Sequence, residues 1–103
     1  MRPFEVKAPR MLIVTGSLTA HGDTFEELKA VSLDHVRRSR TEPGCISHAV
    51  HVDCENPLRL VFFEEWSDPA ALETHYAVAK PFIRSLRGLA AASTGPTVYE
   101  TRD

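Results

Sequence analysis

The chain has 103 residues, enough for one domain with one hydrophobic core and too few for two. Hydrophobic residues make up 43% and charged residues 25%, the balance of a folded globular protein and not of a disordered or fibrous one. A formal net charge of −2 gives no electrostatic reason to expect nucleic acid or an anionic membrane as a partner. Arg37, Arg38 and Arg40 cluster, but beside Asp34 and Glu42 they read as one solvated helix face. Apolar runs such as Leu60 to Phe63 fall far short of the roughly 20 residues of a membrane span. Residues 1–10 carry Pro3, Glu5, Lys7 and Pro9 without an apolar core; they are expected to be a loose arm rather than a secretory signal, and a cytoplasmic location is expected. Cys45 and Cys54 bracket one expected strand, which would hold them roughly 30 Å apart and unpaired.

Met11 to Thr19 (MLIVTGSLT) is rich in β-branched residues and predicts a first strand. After a turn at His21-Gly22-Asp23, Thr24 and Glu27 stand at capping-box spacing and predict a helix start. Phe25, Leu28, Val31 or Ser32, and His35 with Val36 then form one apolar stripe. Glu42-Pro43-Gly44 ends that helix, since Pro43 disfavours helical geometry at Glu42 and Gly44 permits a tight exit. Cys45 to Val52 predicts a second strand, Asp53 to Pro57 a linking turn, and Leu58 to Trp66 (LRLVFFEEW) a third strand. Ser67-Asp68-Pro69 opens a second helix, with a capping side chain followed by Pro at the first helical position. Ala71, Leu72, His75 and Tyr76 lie on its face; the helical pattern breaks near Val78 to Pro81 and resumes with Phe82, Ile83, Leu86 and Leu89. Thr94-Gly95-Pro96 reads as a loop and Thr97 to Thr101 as a last strand.

The order strand, helix, strand, strand, helix, strand is that of a ferredoxin-like α+β domain over residues 11–103, a four-stranded antiparallel sheet with its helices on one face. In the first strand Leu12, Val14 and Leu18 face one way and Met11 and Ile13 the other; in the third, Leu60 and Phe62 oppose Val61 and Phe63. Both sheet faces therefore call for cover, and the helices suffice for one. A homodimer stacked on the second face is the expected solution.

The segments EPGC (Glu42 to Cys45), FFEEWSD (Phe62 to Asp68) and AALETH (Ala70 to His75) resemble the antibiotic biosynthesis monooxygenase family. The resemblance runs from about Met11 to Thr101 and implies a dimeric α+β barrel. It further implies an oxidoreductase of the quinol monooxygenase kind, which uses O2 on a small aromatic molecule without metal, flavin or haem. Other relatives degrade haem, isomerise small molecules or have no known activity, so an isomerase and a non-catalytic ligand-binding or stress-response dimer are the alternatives. Haem-degrading members carry an asparagine on the first strand and a ligating histidine late in the second helical segment. This chain has Gly16 and Leu86 near those places, which speaks against haem.

Glu64 shares a strand face with Leu60, Phe62 and Trp66, where a carboxylate must find a donor or a cation or have its pKa raised. The family's matching tryptophan lines a pocket between sheet and helices, which assigns that face, with Trp66 and Phe62, to the pocket wall. His75, three residues after Leu72, points inward and with Glu64 is the candidate proton-transfer group. His48 alternates with Ile46, Val50 and Val52 and is expected in the pocket, His51 on the opposite face. Phe82 and Tyr76 are candidate substrate contacts. His48 and His51 diverge and no other pair has metal-ligand spacing, so no metal site and no cofactor are expected.

Overall fold

The computed structural model describes residues 11–101; the expected arm at residues 1–10 lies outside the described residues. The elements run β1 (Leu12–Ala20), α1 (Phe25–Ser39), β2 (Cys45–Asp53), β3 (Asn56–Trp66), α2 (Pro69–Val78), α3 (Lys80–Ser85) and β4 (Ala90–Glu100). The strands form one antiparallel sheet in the order β2-β3-β1-β4, the ferredoxin-like arrangement. Among the described residues no helix is long and apolar enough to cross a membrane.

Local chemistry sets most of these boundaries. Asp68 caps α2, its Oδ1 accepting from the Ala71 N–H at 2.8 Å, and Pro69 follows at the first turn. The helical segment divides at Ala79, two residues before Pro81, whose missing N–H cannot continue the ladder of α2. The β2–β3 link is tighter than expected: Asp53 pairs with Asn56, leaving only Cys54 and Glu55 at the turn. The Asp53 carboxylate accepts from the Glu55 N–H at 2.8 Å, the local bond that lets aspartate shape a turn.

Two expectations are corrected. Thr24 is the cap residue of α1, but its side chain makes no capping bond. Its hydroxyl instead donates to the Leu89 carbonyl at 2.7 Å and accepts from the His21 N–H at 3.0 Å, tying the helix start to the chain before β4. The last strand begins at Ala90 rather than Thr97 and runs through the expected loop. The Gly95-Pro96 step is absorbed as an irregularity opposite Thr15 to Ser17, and β4 pairs with β1 on both sides of it. Gly95 has φ of +77°, and a Cβ there would lie 2.7 Å from the Thr15 carbonyl oxygen, so only glycine lets the strands approach at this point.

One face of the sheet carries Leu12, Val14 and Leu18 from β1 and Leu60, Phe62 and Trp66 from β3, all buried beneath the helices. This core comes in two pieces. Leu18, Ala20, Leu28, Val36, Leu60 and Phe62 form one; Leu12, Val14, Trp66 and Leu72 form the other. On β3 the residue between the two pieces is Glu64. The opposite face bears Ile13, Val61, Phe63 and Tyr99 among Thr15, Ser17 and Glu65; Val61 is 37%, Phe63 40% and Tyr99 54% exposed.

Gly44 joins the site-bearing elements. It leads into β2 with φ of +84°, and its carbonyl accepts from the Ser67 N–H at 2.8 Å. A Cβ at this position would collide with the Ala71 Cβ on the first turn of α2. Gly44→Ala should therefore cost about 2–4 kcal/mol of stability, from backbone strain together with the displaced helix. Gly22→Ala, with open space around it, should change little. Urea unfolding of both variants against wild type checks the difference.

Candidate functional site

Four elements of the fold deliver ionisable groups to one buried spot. His48 of β2 stands directly opposite Glu64 of β3 in the sheet register, so the two side chains lie abreast on the helix-facing side. His75 comes down from α2 and His35 from α1; all three histidines are buried, at 6% exposure or less. Their ring centroids form a near-equilateral triangle: 5.3 Å from His35 to His48, 5.1 Å from His35 to His75 and 5.6 Å from His48 to His75.

Glu64 Oε1 is the hub. It accepts a hydrogen bond from Trp66 Nε1 at 2.8 Å and lies 3.3 Å from His48 Nε2 and 3.8 Å from His75 Nε2. The His48 approach has the distance of an ion pair without the alignment of a hydrogen bond, and among the described residues neither nitrogen of His48 has a hydrogen-bond partner. His75 Nδ1 meets Glu42 Oε1 at 2.9 Å. An ionised carboxylate can only accept, so Nδ1 carries the proton and Nε2 presents its lone pair. The indole of Trp66 lies against the His75 ring at 4.5 Å between centroids, and the His35 ring stacks on Phe82 at 4.0 Å.

Burial dominates the electrostatics of His35 and, with His48, His75 and Arg38 nearby, lowers its pKa to about 3 against the opposing pull of Glu64. Burial alone would push the Glu64 carboxyl up. The adjacent His48, the Trp66 N–H and His75 outweigh it and hold that carboxyl below its ordinary value. Burial and the Glu64 charge push the Tyr76 hydroxyl up, and that hydroxyl has no hydrogen-bond partner among the described residues.

A cavity of about 280 Å³ opens beside this cluster, between the β1–β4 half of the sheet and α2–α3. Glu64, His75, Phe62, Tyr76 and Phe82, all anticipated as site residues, line it. Trp66 and His48 do not. Trp66 is fully buried behind the cavity, holding Glu64 and backing His75, and His48 supports the cluster from β2 without reaching the wall. Ile46, expected to alternate inward with His48, is 54% exposed because a register irregularity between Cys45 and Ser47 turns it out. His35 was not anticipated as a site residue. It borders both this cavity and a second of about 260 Å³ that opens beside Asp34 and Arg38. The only signal for it in the sequence is a histidine on the apolar stripe of α1, which a core role explains equally well. One nitrogen from each of the three histidines lies within 4.8 Å of the others, and imidazole nitrogens so grouped could hold a transition-metal ion.

The sign of the acid response follows from these shifts. The unfolded chain protonates His35 near pH 6.5 and the folded chain only near 3, so its contribution to stability is lost as pH falls between those values. The lowered pKa of Glu64 acts in the same direction, its contribution present above the ordinary carboxylate value and lost on further acidification. With a chelator present, unfolding free energy should drop by about 2–4 kcal/mol between pH 6.5 and 4. His35→Phe, which keeps a flat ring against Phe82, should remove most of that slope in urea titrations at each pH.

In comparison with known proteins, residues 11–78, more than half of the chain, match the family described as Antibiotic biosynthesis monooxygenase. A protein of Synechocystis sp., sll1783, is 37% identical over 65 residues, which is 63% of this chain and 44% of that protein. The chain thus matches less than half the length of this relative. Solved structures share the fold, among them the following three. Rv0793 of Mycobacterium tuberculosis has a TM-score of 0.82 at 21% identity, over 90% of this chain and 96% of that one. SO0527 of Shewanella oneidensis has a TM-score of 0.81 at 23% identity, over 89% and 91%. PA3566 of Pseudomonas aeruginosa has a TM-score of 0.79 at 24% identity, over 95% and 98%. At these identities the structures speak for the architecture alone, whereas the family match covers β1 through α2 and with them His35, Glu42, His48, Glu64, Trp66 and His75; the chain belongs to the antibiotic biosynthesis monooxygenase family.

Proposed function

We propose that the protein is a monooxygenase that oxidises a small phenolic or quinol-type substrate with O2, without a cofactor. The observation that carries this reading is the Glu42–His75 pair at 2.9 Å. Glu42 fixes the tautomer of His75, so its Nε2 is the basic nitrogen, on a residue that lines a cavity of about 280 Å³. That space suits a molecule of one or two rings.

The chemistry needs little else. Nε2 of His75 removes a phenolic proton, leaving an electron-rich anion that transfers an electron to O2; recombination and loss of water place one oxygen atom on the substrate. The phenolic proton, returned by His75, and the hydrogen of the oxygenated ring carbon leave with the other oxygen atom as water. The phenol becomes a quinone, so the substrate supplies the electrons and no external reductant enters. Glu42 stabilises the imidazolium formed in the first step. Phe62, Phe82 and the Tyr76 ring supply flat apolar walls. Glu64, whose carboxyl its neighbours hold below its ordinary value, lies 3.8 Å from that nitrogen.

The active form in this reading is a homodimer joined through the helix-free sheet face. The row of Ile13, Val61, Phe63 and Tyr99 and the prevalence of dimers in the family support it.

In an oxygen electrode with a panel of quinols and phenols, wild type should consume O2 with at least one of them, and silence across the panel would sink the reading. With the active substrate, His75→Ala should lower the rate by about 10²-fold or more with the fold intact; Glu42→Gln should lose about tenfold. Phe63→Glu should turn the sedimentation profile from dimer to monomer or unfold the chain, since a lone charge in an apolar interface costs several kcal/mol.

A further inference from the structure

We propose that His35, His48 and His75, with the Glu64 carboxylate as a fourth donor, form a binding site for one divalent first-row transition ion. This goes beyond the oxidation and stands without it.

The strongest sign is His48. Its side chain is wholly buried, yet neither ring nitrogen has a hydrogen-bond partner among the described residues. Nε2 has only the Glu64 carboxylate, 3.3 Å away and out of line, and Nδ1 has no hydrogen-bond partner among the described residues. A buried ring nitrogen so placed forfeits the hydrogen bond it made to water, and such groups in native structures point to an unseen ion or water. The ligand atoms of His35, His48 and His75 lie within 4.8 Å of one another. A tetrahedral ion with bonds of about 2.1 Å holds nitrogens about 3.4 Å apart, so the rings need to draw in by roughly 1 Å, within the reach of small side-chain rotations.

The surroundings are those a metal ligand set uses. His75 gives its Nδ1–H to Glu42, which leaves Nε2 as the nitrogen free to ligate, the carboxylate–histidine pairing typical of metal sites. Glu64 Oε1 lies 3.3 Å from His48 Nε2 and 3.8 Å from His75 Nε2, already among the nitrogens it would join. Arg40 Nε donates to the His48 carbonyl at 2.9 Å and fixes that stretch of β2. The charges around the site are Glu42 and Glu64, each beside an imidazole nitrogen, against Arg38, whose guanidinium is 3.5 Å from His35 Nδ1, and Arg40, which is turned to the His48 backbone. A second cavity, bordered by Asp34 and His35, gives an ion a polar way in. Three imidazoles with one carboxylate select zinc, cobalt, nickel, copper or ferrous iron over magnesium and calcium, which take oxygen ligands. An ion seated here would occupy the His75 nitrogen that the proposed oxidation uses as its base. Metal loading and that reaction therefore exclude one another, and a binding measurement reads the site whether or not the reaction exists.

The test uses the full chain, stripped with chelator and desalted, then titrated with Co²⁺. One equivalent per chain should develop visible d–d bands of low coordination number, which Zn²⁺ then abolishes. His48→Ala should weaken Co²⁺ binding by at least about 100-fold and Glu42→Gln by about tenfold, while His51→Ala on the far sheet face changes nothing. Because His48→Ala could unfold the chain, imidazole ¹⁵N resonances of wild type provide a second reading. One equivalent of Zn²⁺ should shift His35, His48 and His75 and leave His21 and His51 in place. Absence of stoichiometric binding below about millimolar Co²⁺ and Zn²⁺ overturns the proposal, and so does binding that moves His21 or His51 instead.

Discussion

A carboxylate at the middle of the helix-facing row of β3 is the constraint from which the rest of the site follows. Glu64 separates Phe62 from Trp66 on that row and separates the core into its two apolar pieces. Removing a carboxylate from water costs several kcal/mol unless partners replace the water. The chain supplies them from three elements: the Trp66 indole N–H on the same strand, His48 across the sheet and His75 from the helix above. Each partner then needs its own support. Trp66 is packed without exposure, the His48 backbone is tied by Arg40, and His75 is held by Glu42. An apolar residue in place of Glu64 would let the two core pieces fuse, and the histidines would have no reason to converge. The polar cluster costs core continuity, and a chain this short tolerates that only because every strand and α1 contribute to the two flanking pieces.

Those dependencies explain what could be read from the sequence. Glu64 stood out because period-2 alternation places it unambiguously between Phe62 and Trp66. His75 did because three residues from Leu72 is the same helix face. The hairpin, the capped start of α2 and the break before Pro81 are local chemistry, and local chemistry is visible in a single sequence. What escaped depends on contacts distant in the chain. Thr24 and Glu27 have the capping-box spacing, yet Leu89, 65 residues away, claims the Thr24 hydroxyl. β4 was hidden because Ala90 to Thr94 lies along an exposed edge and has no apolar alternation. Gly95-Pro96 also reads as a turn until Gly95 is seen passing close to Thr15. His35 was hidden for the opposite reason: it sits on a good apolar stripe, and nothing local distinguishes it from packing. Metal-ligand spacing rules detect ligands on one loop or helix, whereas these three histidines are 13 and 27 residues apart on three elements.

The two faces of the sheet divide the work. The helix-facing side bears the cluster and cavity, while the other bears Val61 and Phe63, which alternate with Phe62 and Glu64 on the same strand. A strand apolar on both sides couples the two, since any shift of β3 that repacked the outer face would also move Glu64 and Trp66. Cover on the outer face, supplied by whatever surface meets it, thus stabilises the register on which the site depends. This is why an exposed apolar row on β3 bears on the geometry of the cluster on the opposite side.

The Glu42–His75–Glu64 arrangement also fixes what the cluster can do with positive charge. Two carboxylates flank one imidazole, one at each nitrogen, at 2.9 Å and 3.8 Å. Positive charge brought to that ring, as a proton in the proposed oxidation or as an ion in the proposed site, would meet a carboxylate at either nitrogen. The two cases differ in what they demand of His35 and His48. A proton needs only His75, and the other two rings then serve as neutral neighbours, which the depressed pKa of His35 ensures for that ring at physiological pH. An ion needs all three at once and draws them together. Proton chemistry at His75 gives no role to a fully buried His48 that sits 3.3 Å from Glu64 yet makes no aligned hydrogen bond through either nitrogen among the described residues, because a packing residue of that volume need not be a histidine. The placement of His48 is the feature that a base-only site leaves unexplained and a ligand set accounts for.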